Sequence, residues 1–158
     1  SMSSSETPAG QTPPDPYIEP EIKEKVASMG RAFPRNMGHA IGIRFLSLRR
    51  AEVVAEMPVD ERTIQPFGIL HGGASVALAE TLASIGAWLN LSDERSSAVG
   101  LEINANHLRP VRIGGKVVGR AVPIHKGALT QVWEVEIRTP DDKLVCKSRC
   151  TLAVVARR

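Results

Sequence analysis

The chain has 158 residues, 42% of them hydrophobic but only 4% aromatic, and a formal net charge of +3. That length supports one domain with an aliphatic core, in the composition range of ordinary globular proteins. The charge is weak and its Arg and Lys residues are scattered, which argues against nucleic-acid binding, and no apolar run reaches the roughly 18 uninterrupted residues of a membrane span.

Residues 1–16 are rich in Ser, Pro, Gly and Thr and are expected to form a disordered tail, with 17–158 as one domain. No basic-apolar leader is legible in Ser1-Met2-Ser3-Ser4-Ser5, and Ser1 reads as a remnant of tag removal, so a cytoplasmic location is expected. A short helix is predicted from about Pro20 to Met29, ended by Gly30, followed by a loop from Phe33 to Gly38. Between Ala40 and Val59 β-branched and aliphatic residues partly alternate, which predicts two strands turning near Ser47 to Arg50. Asp60 to Gly68 reads as a loop.

A long helix is then predicted from about Gly73 to Leu91. It is apolar nearly all round, so burial on most faces is expected. Four strand-like segments follow, at about Ser97 to Leu108, Gly115 to Ile124, Leu129 to Thr139 and Lys143 to Val155, separated by Arg109-Pro110, Gly114-Gly115, His125-Lys126-Gly127 and Pro140-Asp141-Asp142. Short connections predict that consecutive strands are antiparallel neighbours. The fold class is therefore α+β, an antiparallel sheet of about six strands wrapped around one long helix. Cys146 and Cys150 sit four apart in a predicted strand, roughly 13 Å between Cα atoms, too far for a disulfide and without zinc spacing, so two free thiols are expected.

The chemistry concentrates between Gln65 and Ser84. After His71 the next charged side chain is Glu80, and no other follows until Asp93. A carboxylate among Ala77, Leu78, Ala79, Leu82 and Ala83 has no polar face to occupy, and isolated acids in such settings are found mostly where they react or pair with a buried cation. The functional reading of Glu80 is a general base or nucleophile. Ser84 lies one turn on, placed either to orient that carboxylate or a water, or to bond the carbonyl one turn back. Gly72 and Gly73 open the helix, where unpaired N–H groups and the helix dipole favour a developing oxyanion. Gln65, stiffened by Pro66, supplies a neutral donor, and His71 a supporting group. No Gly-x-Ser-x-Gly elbow, dinucleotide fingerprint or Walker loop is present, and Asn90-Leu91-Ser92 matches a glycosylation sequon only by chance.

Gln65-Pro66-Phe67-Gly68-Ile69-Leu70-His71-Gly72-Gly73-Ala74-Ser75, with Ala79-Glu80 and Ser84, resembles the hot-dog-fold acyl-CoA thioesterases. The likeness is to the branch holding phenylacetate-pathway, Arthrobacter-type 4-hydroxybenzoyl-CoA and 1,4-dihydroxy-2-naphthoyl-CoA thioesterases. Gly100-Leu101-Glu102-Ile103-Asn104-Ala105-Asn106-His107-Leu108-Arg109-Pro110 adds to it, and the likeness runs from about Gly38 to Val155. The resemblance implies a sheet curled around a central helix, protomers joined through their sheets and doubled to a dimer of dimers, and sites shared between chains. It implies hydrolysis of an acyl-CoA, possibly aromatic in its acyl part, to free acid and CoA. No cofactor is implied beyond the coenzyme A of the substrate, and no metal. Glu80 is then the catalytic carboxylate and Gly72 N–H the carbonyl donor, with Gln65, His71 and Ser84 assisting. Substrate and CoA contacts are implied at Gly73, Gly100, His107, Leu108, Arg109 and Pro110, and at His125, Lys126, Gly127, Ala128, Leu129 and Thr130. A hot-dog hydratase or dehydratase, or a non-catalytic acyl-CoA-binding protein, is the alternative.

Overall fold

A computed structural model describes residues 12–157. Of the expected tail, 1–11 lie outside the described residues, and 12–16 carry neither helix nor strand. Seven strands form one sheet: β1 (Tyr17–Ile18), β2 (Arg44–Leu48), β3 (Val53–Pro58), β4 (Ser96–His107), β5 (Lys116–Lys126), β6 (Thr130–Arg138) and β7 (Leu144–Ala156). A 3-10 turn (Pro20–Ile22) leads into α1 (Lys23–Ser28). Then come a four-residue helix α2 (Met37–Ala40) and the long helix α3 (Gly72–Leu89). The six strands expected from the sequence are present and pair antiparallel. A two-residue β1 adds to them, running parallel to β2.

The strand order is β1-β2-β3-β5-β6-β7-β4, which corrects one expectation. β4 and β5 follow each other in the chain but are not neighbours. β4 pairs with β7 at the edge, and β5 enters the middle of the sheet beside β3. The connection between them crosses the N-terminal end of α3. There Leu70 N–H donates to Val111 O at 2.8 Å and Ile113 N–H to Gly68 O at 3.0 Å, tying the loop before the helix to the sheet. A second correction concerns Met37 and Gly38, which lie in α2 rather than a loop. The Asn36 side chain accepts the His39 N–H and caps that turn.

The sheet's concave face carries the core. Along β6 burial alternates strictly, with Gln131, Trp133, Val135 and Ile137 inward. These pack with Val53, Ala55 and Met57 of β3, Cys146 and Cys150 of β7, and Leu78, Leu82 and Ala83 of α3. The Trp133 ring lies so close to α3 that a Cβ on Gly86 would sit 2.6 Å from its Cζ3 atom, so only glycine fits that crossing. The convex face is polar and paired across strands: Lys116 with Glu56 at 3.1 Å, Arg120 with Glu52 at 2.7 Å, and Lys147 with both Glu134 and Glu136 at 3.1 Å. β4 ends the sheet. Its outer edge has no partner among the described residues, and Val99 and Leu101 stand 45% and 62% exposed on it. No helix among the described residues is long and apolar enough to cross a membrane.

Candidate active site

The loop before α3 is shaped by its own backbone. Gln65 N–H donates to Ile69 O at 2.9 Å and Gly68 N–H to Gln65 O at 3.0 Å. Gly68 turns the chain at φ +81, in the left-handed region that favours glycine. The Gln65 side-chain oxygen accepts the Phe67 N–H, and its amide NH₂ has no protein partner among the described residues, while Phe67 itself is 87% exposed. His71 N–H is held by Thr63 O at 2.8 Å, and His71 caps α3, its Nδ1 accepting the Gly73 N–H at 2.7 Å. The Gly73 donor is thus committed to the cap. The Gly72 N–H, first of the helix, has no partner among the described residues. The His107 imidazole lies over Gly72, where a Cβ would be 3.0 Å from Nε2.

Glu80 sits two turns further along α3, on its partly open side. The expectation of a helix buried on most faces needs amending: Ala77, Glu80, Thr81, Ser84 and Ile85 are only half-buried. Together with Met37, Gly38, Ile41 and Gly100 they line a crevice of about 440 Å³. Glu80 takes part in none of the ion pairs among the described residues. A structural pairing with a buried cation is therefore not its role in the single chain. Its charge is felt below: burial first, then Glu80 and Glu102, push the Cys150 thiol up to about 11. Ser84 lines the same crevice. The carbonyl bond that a helical hydroxyl can make one turn back is made instead by Thr81, to Ala77 O at 2.7 Å.

The candidate residues fall into three places. Gln65, His71, Gly72, Gly73 and His107, followed by exposed Leu108, Arg109 and Pro110, gather at the N-terminal end of α3. Glu80, Ser84 and Gly100 form the crevice; Gly72 and Glu80, eight residues apart in one helix, are separated by about 12 Å along its axis. His125 to Thr130 lies at the opposite end. Gly127 N–H closes that loop on Thr130 O at 2.8 Å, and Lys126 Nζ reaches Asn90 Oδ1 at 3.3 Å, just past the helix C-terminus. The 18 residues of α3 span about 27 Å. A single chain therefore does not bring the carboxylate, the helix-end donor and both candidate substrate-contact segments together. A larger hollow of about 590 Å³ between α1 and the end of α3 contains no candidate residue. In it Glu21, Glu24 and Glu94 are balanced by Lys25, Arg50 and Arg157.

Met37, Ile41, Thr81 and Ile85 belong to the crevice but were not singled out in the sequence. Thr81 and Ile85 had a usable signal, because they fall four and eight residues after Ala77 on the Glu80 side of the helix. Met37 and Ile41 had none, since α2 is too short to leave a periodic pattern.

Residues 67–146 match the thioesterase superfamily. The chain is 46% identical to the 1,4-dihydroxy-2-naphthoyl-CoA hydrolase of Escherichia coli, a match covering 84% of this chain and 93% of that protein. It is 43% identical to the proofreading thioesterase EntH of Klebsiella pneumoniae, covering 82% and 93%. Among solved structures, thioesterase HI1161 from Haemophilus influenzae superposes with a TM-score of 0.76 at 48% identity, covering 82% of this chain and 90% of that one. The chain belongs to the thioesterase superfamily, with the hot-dog fold: a curled sheet around one central helix. It is a thioester hydrolase.

Proposed function

We propose that this hydrolase acts on acyl-CoA thioesters, at sites each completed by two chains. The observation that carries the reading is the carboxylate of Glu80, without an ion-pair partner among the described residues at an apolar-walled crevice, on the same helix whose first N–H is free among those residues but about 12 Å away. A thioester carbonyl cannot touch both within one protomer. It can do so where the loop and helix start of one chain lie against the crevice of another. The unpaired β4 edge, with Val99 and Leu101 exposed, offers the seam for such pairing into a sheet continuous across two chains. Doubling of that dimer to a tetramer completes the proposed assembly.

In this site Gly72 N–H donates to the thioester oxygen, helped by the helix dipole and the side-chain amide of Gln65. Glu80 either attacks the carbonyl carbon, forming a mixed anhydride that water then opens, or takes a proton from the water that attacks. In both routes the C–S bond breaks and coenzyme A leaves as its thiolate, a leaving group good enough to need no strong acid. Ser84 holds the water or orients the carboxylate, and His71 keeps the helix start in place. The reaction so written needs no metal and no cofactor besides the coenzyme A of the substrate. The exposed bases Arg109 and Lys126 serve its phosphates, each from a different end of α3. The crevice walls of Met37, Ile41, Ala77 and Ile85 suit an apolar acyl group, and the E. coli relative's named substrate supports an aromatic one. Such esters place the activity in the cytoplasm.

The test is thiol release from a panel of aryl and medium-chain acyl-CoAs by the wild type and by Glu80→Ala. The expected result is turnover of at least one class by the wild type and near-complete loss in a variant that keeps its fold. Full activity in the variant removes Glu80 from the mechanism. A single-turnover reaction in oxygen-18 water separates the two roles of the carboxylate, because only direct attack carries label into Glu80.

A further inference from the structure

Gly100 lies on β4 opposite Leu152 of β7, and its backbone is not in the left-handed region. Any residue could take that conformation, so a turn does not explain the glycine. Glycine inside a strand costs stability, through backbone entropy and lost packing, and marks a place where something approaches closely. Here that something is a single group. A Cβ built on Gly100 would stand 2.6 Å from Glu80 Oε1 and 3.6 Å from its Cδ, and beyond its own chain neighbours would meet no other atom of the described residues within 4 Å. One residue later the pairing register slips: Gly100 faces Leu152, Glu102 faces Thr151, and Leu101 is left over as a bulge. Bulges bend a strand and re-aim its side chains, and they recur beside active sites.

We propose that Gly100 is a positioning residue: its missing side chain is the berth in which the Glu80 carboxylate rests against β4 at the bulge. This goes beyond contact with substrate and rests on the reading of Glu80 as the reacting acid. The clash would fall on the far end of a flexible side chain, so a methyl group at position 100 displaces the carboxylate and leaves the strand in place.

The test is Gly100→Ala, alone and combined with Glu80→Asp. Gly100→Ala is expected to lower kcat about 100-fold, the cost of misplacing a reacting group by about 1 Å, with KM within about threefold of wild type and an unchanged melting temperature. In the Glu80→Asp background, where the acid is one methylene shorter, the same change is expected to cost less than about threefold. Equal losses in both backgrounds overturn the proposal, as does failure of Gly100→Ala to fold. A crystal structure of Gly100→Ala decides the matter without substrate: the carboxylate is expected to be displaced by about 1 Å or more, and an unmoved carboxylate overturns the proposal. If the wild type releases no thiol from any acyl-CoA, the functional reading fails, while that structure still judges the role of Gly100.

Discussion

The Nδ1 of His71 accepts the N–H of Gly73 at 2.7 Å, so α3 is capped by the residue that precedes it. The cap satisfies one of the orphan donors at the helix start and leaves its neighbour, the Gly72 N–H, free among the described residues. It also sets the backbone of His71 at φ -69 and ψ 130, an extended conformation.

That conformation makes a clean test of the donor possible. Proline is favoured at the first helical position and requires an extended residue before it, which His71 already is. Gly72→Pro removes the N–H and keeps the helix; its Cβ meets the exposed His107 ring first, and that ring gives way. The expected outcome is unchanged far-ultraviolet circular dichroism and a fall in kcat of about 100- to 1000-fold. Wild-type turnover in this variant would place the donor elsewhere.

Two variants with damage in different halves of the site should rescue each other. Glu80→Ala and Gly72→Pro homodimers are each expected to be nearly inactive. After unfolding and refolding together in equal amounts, half of the dimers are mixed, and each mixed dimer holds one intact site. Activity is expected to return to about a quarter of wild type. No recovery would mean that carboxylate and donor serve the same site from one chain.

Glu56 carries a pH signature. Burial pushes its carboxyl up, but the guanidinium of Arg44 and the ammonium of Lys116 beside it pull harder, and the net effect is a value below the usual 4.5. A depressed acid contributes stability above its unfolded pKa and loses it as pH falls through the folded value. Glu56→Gln also leaves Arg44, whose Nη1 is already buried without a partner, less satisfied. At pH 7 the variant is expected to lose about 2 kcal/mol, or about 5 °C of melting temperature, and the gap is expected to narrow as pH falls below 4.5 through the lowered folded value. Melting curves at three pH values check this; a gap constant with pH would rule out the charge as its source.

Gly86→Ala sets two effects of opposite sign against each other. Alanine gains about 1 kcal/mol of helix propensity, whereas forcing a methyl against a fully buried indole costs about 1–3 kcal/mol. With Cβ 2.6 Å from the Trp133 ring, the clash is expected to win. A lower melting temperature and shifted tryptophan emission are the readouts. A stabilised variant would show that the ring can move aside.

The central helix and six strands were legible because their signals are local: apolar periodicity, long β-branched runs and turn residues at their ends. β1 and α2 were not, being too short for any period. The place of β4 was not either, since pairing between residues 96–107 and 144–156 depends on the closure of the whole sheet. The site shows the same divide. Gln65, His71, Gly72 and Glu80 stood out in the sequence through residue type and spacing. That His125 to Thr130 lies at the far end of α3 from His107 to Pro110 could not be read from either segment. Gly100 was singled out for a substrate contact; what its absent side chain makes room for became visible only with Glu80 folded beside it.

Every turnover of a thioester hydrolase sets free a thiol, which in oxidising surroundings forms mixed disulfides with any exposed thiolate on the enzyme that made it. Cys146 and Cys150 are both free and fully covered by the sheet and helix, and Cys150 is kept protonated by its surroundings and the acids near it. The folded enzyme is thereby shielded from capture by its own product, and a colorimetric thiol reagent added to the reaction counts turnover rather than protein.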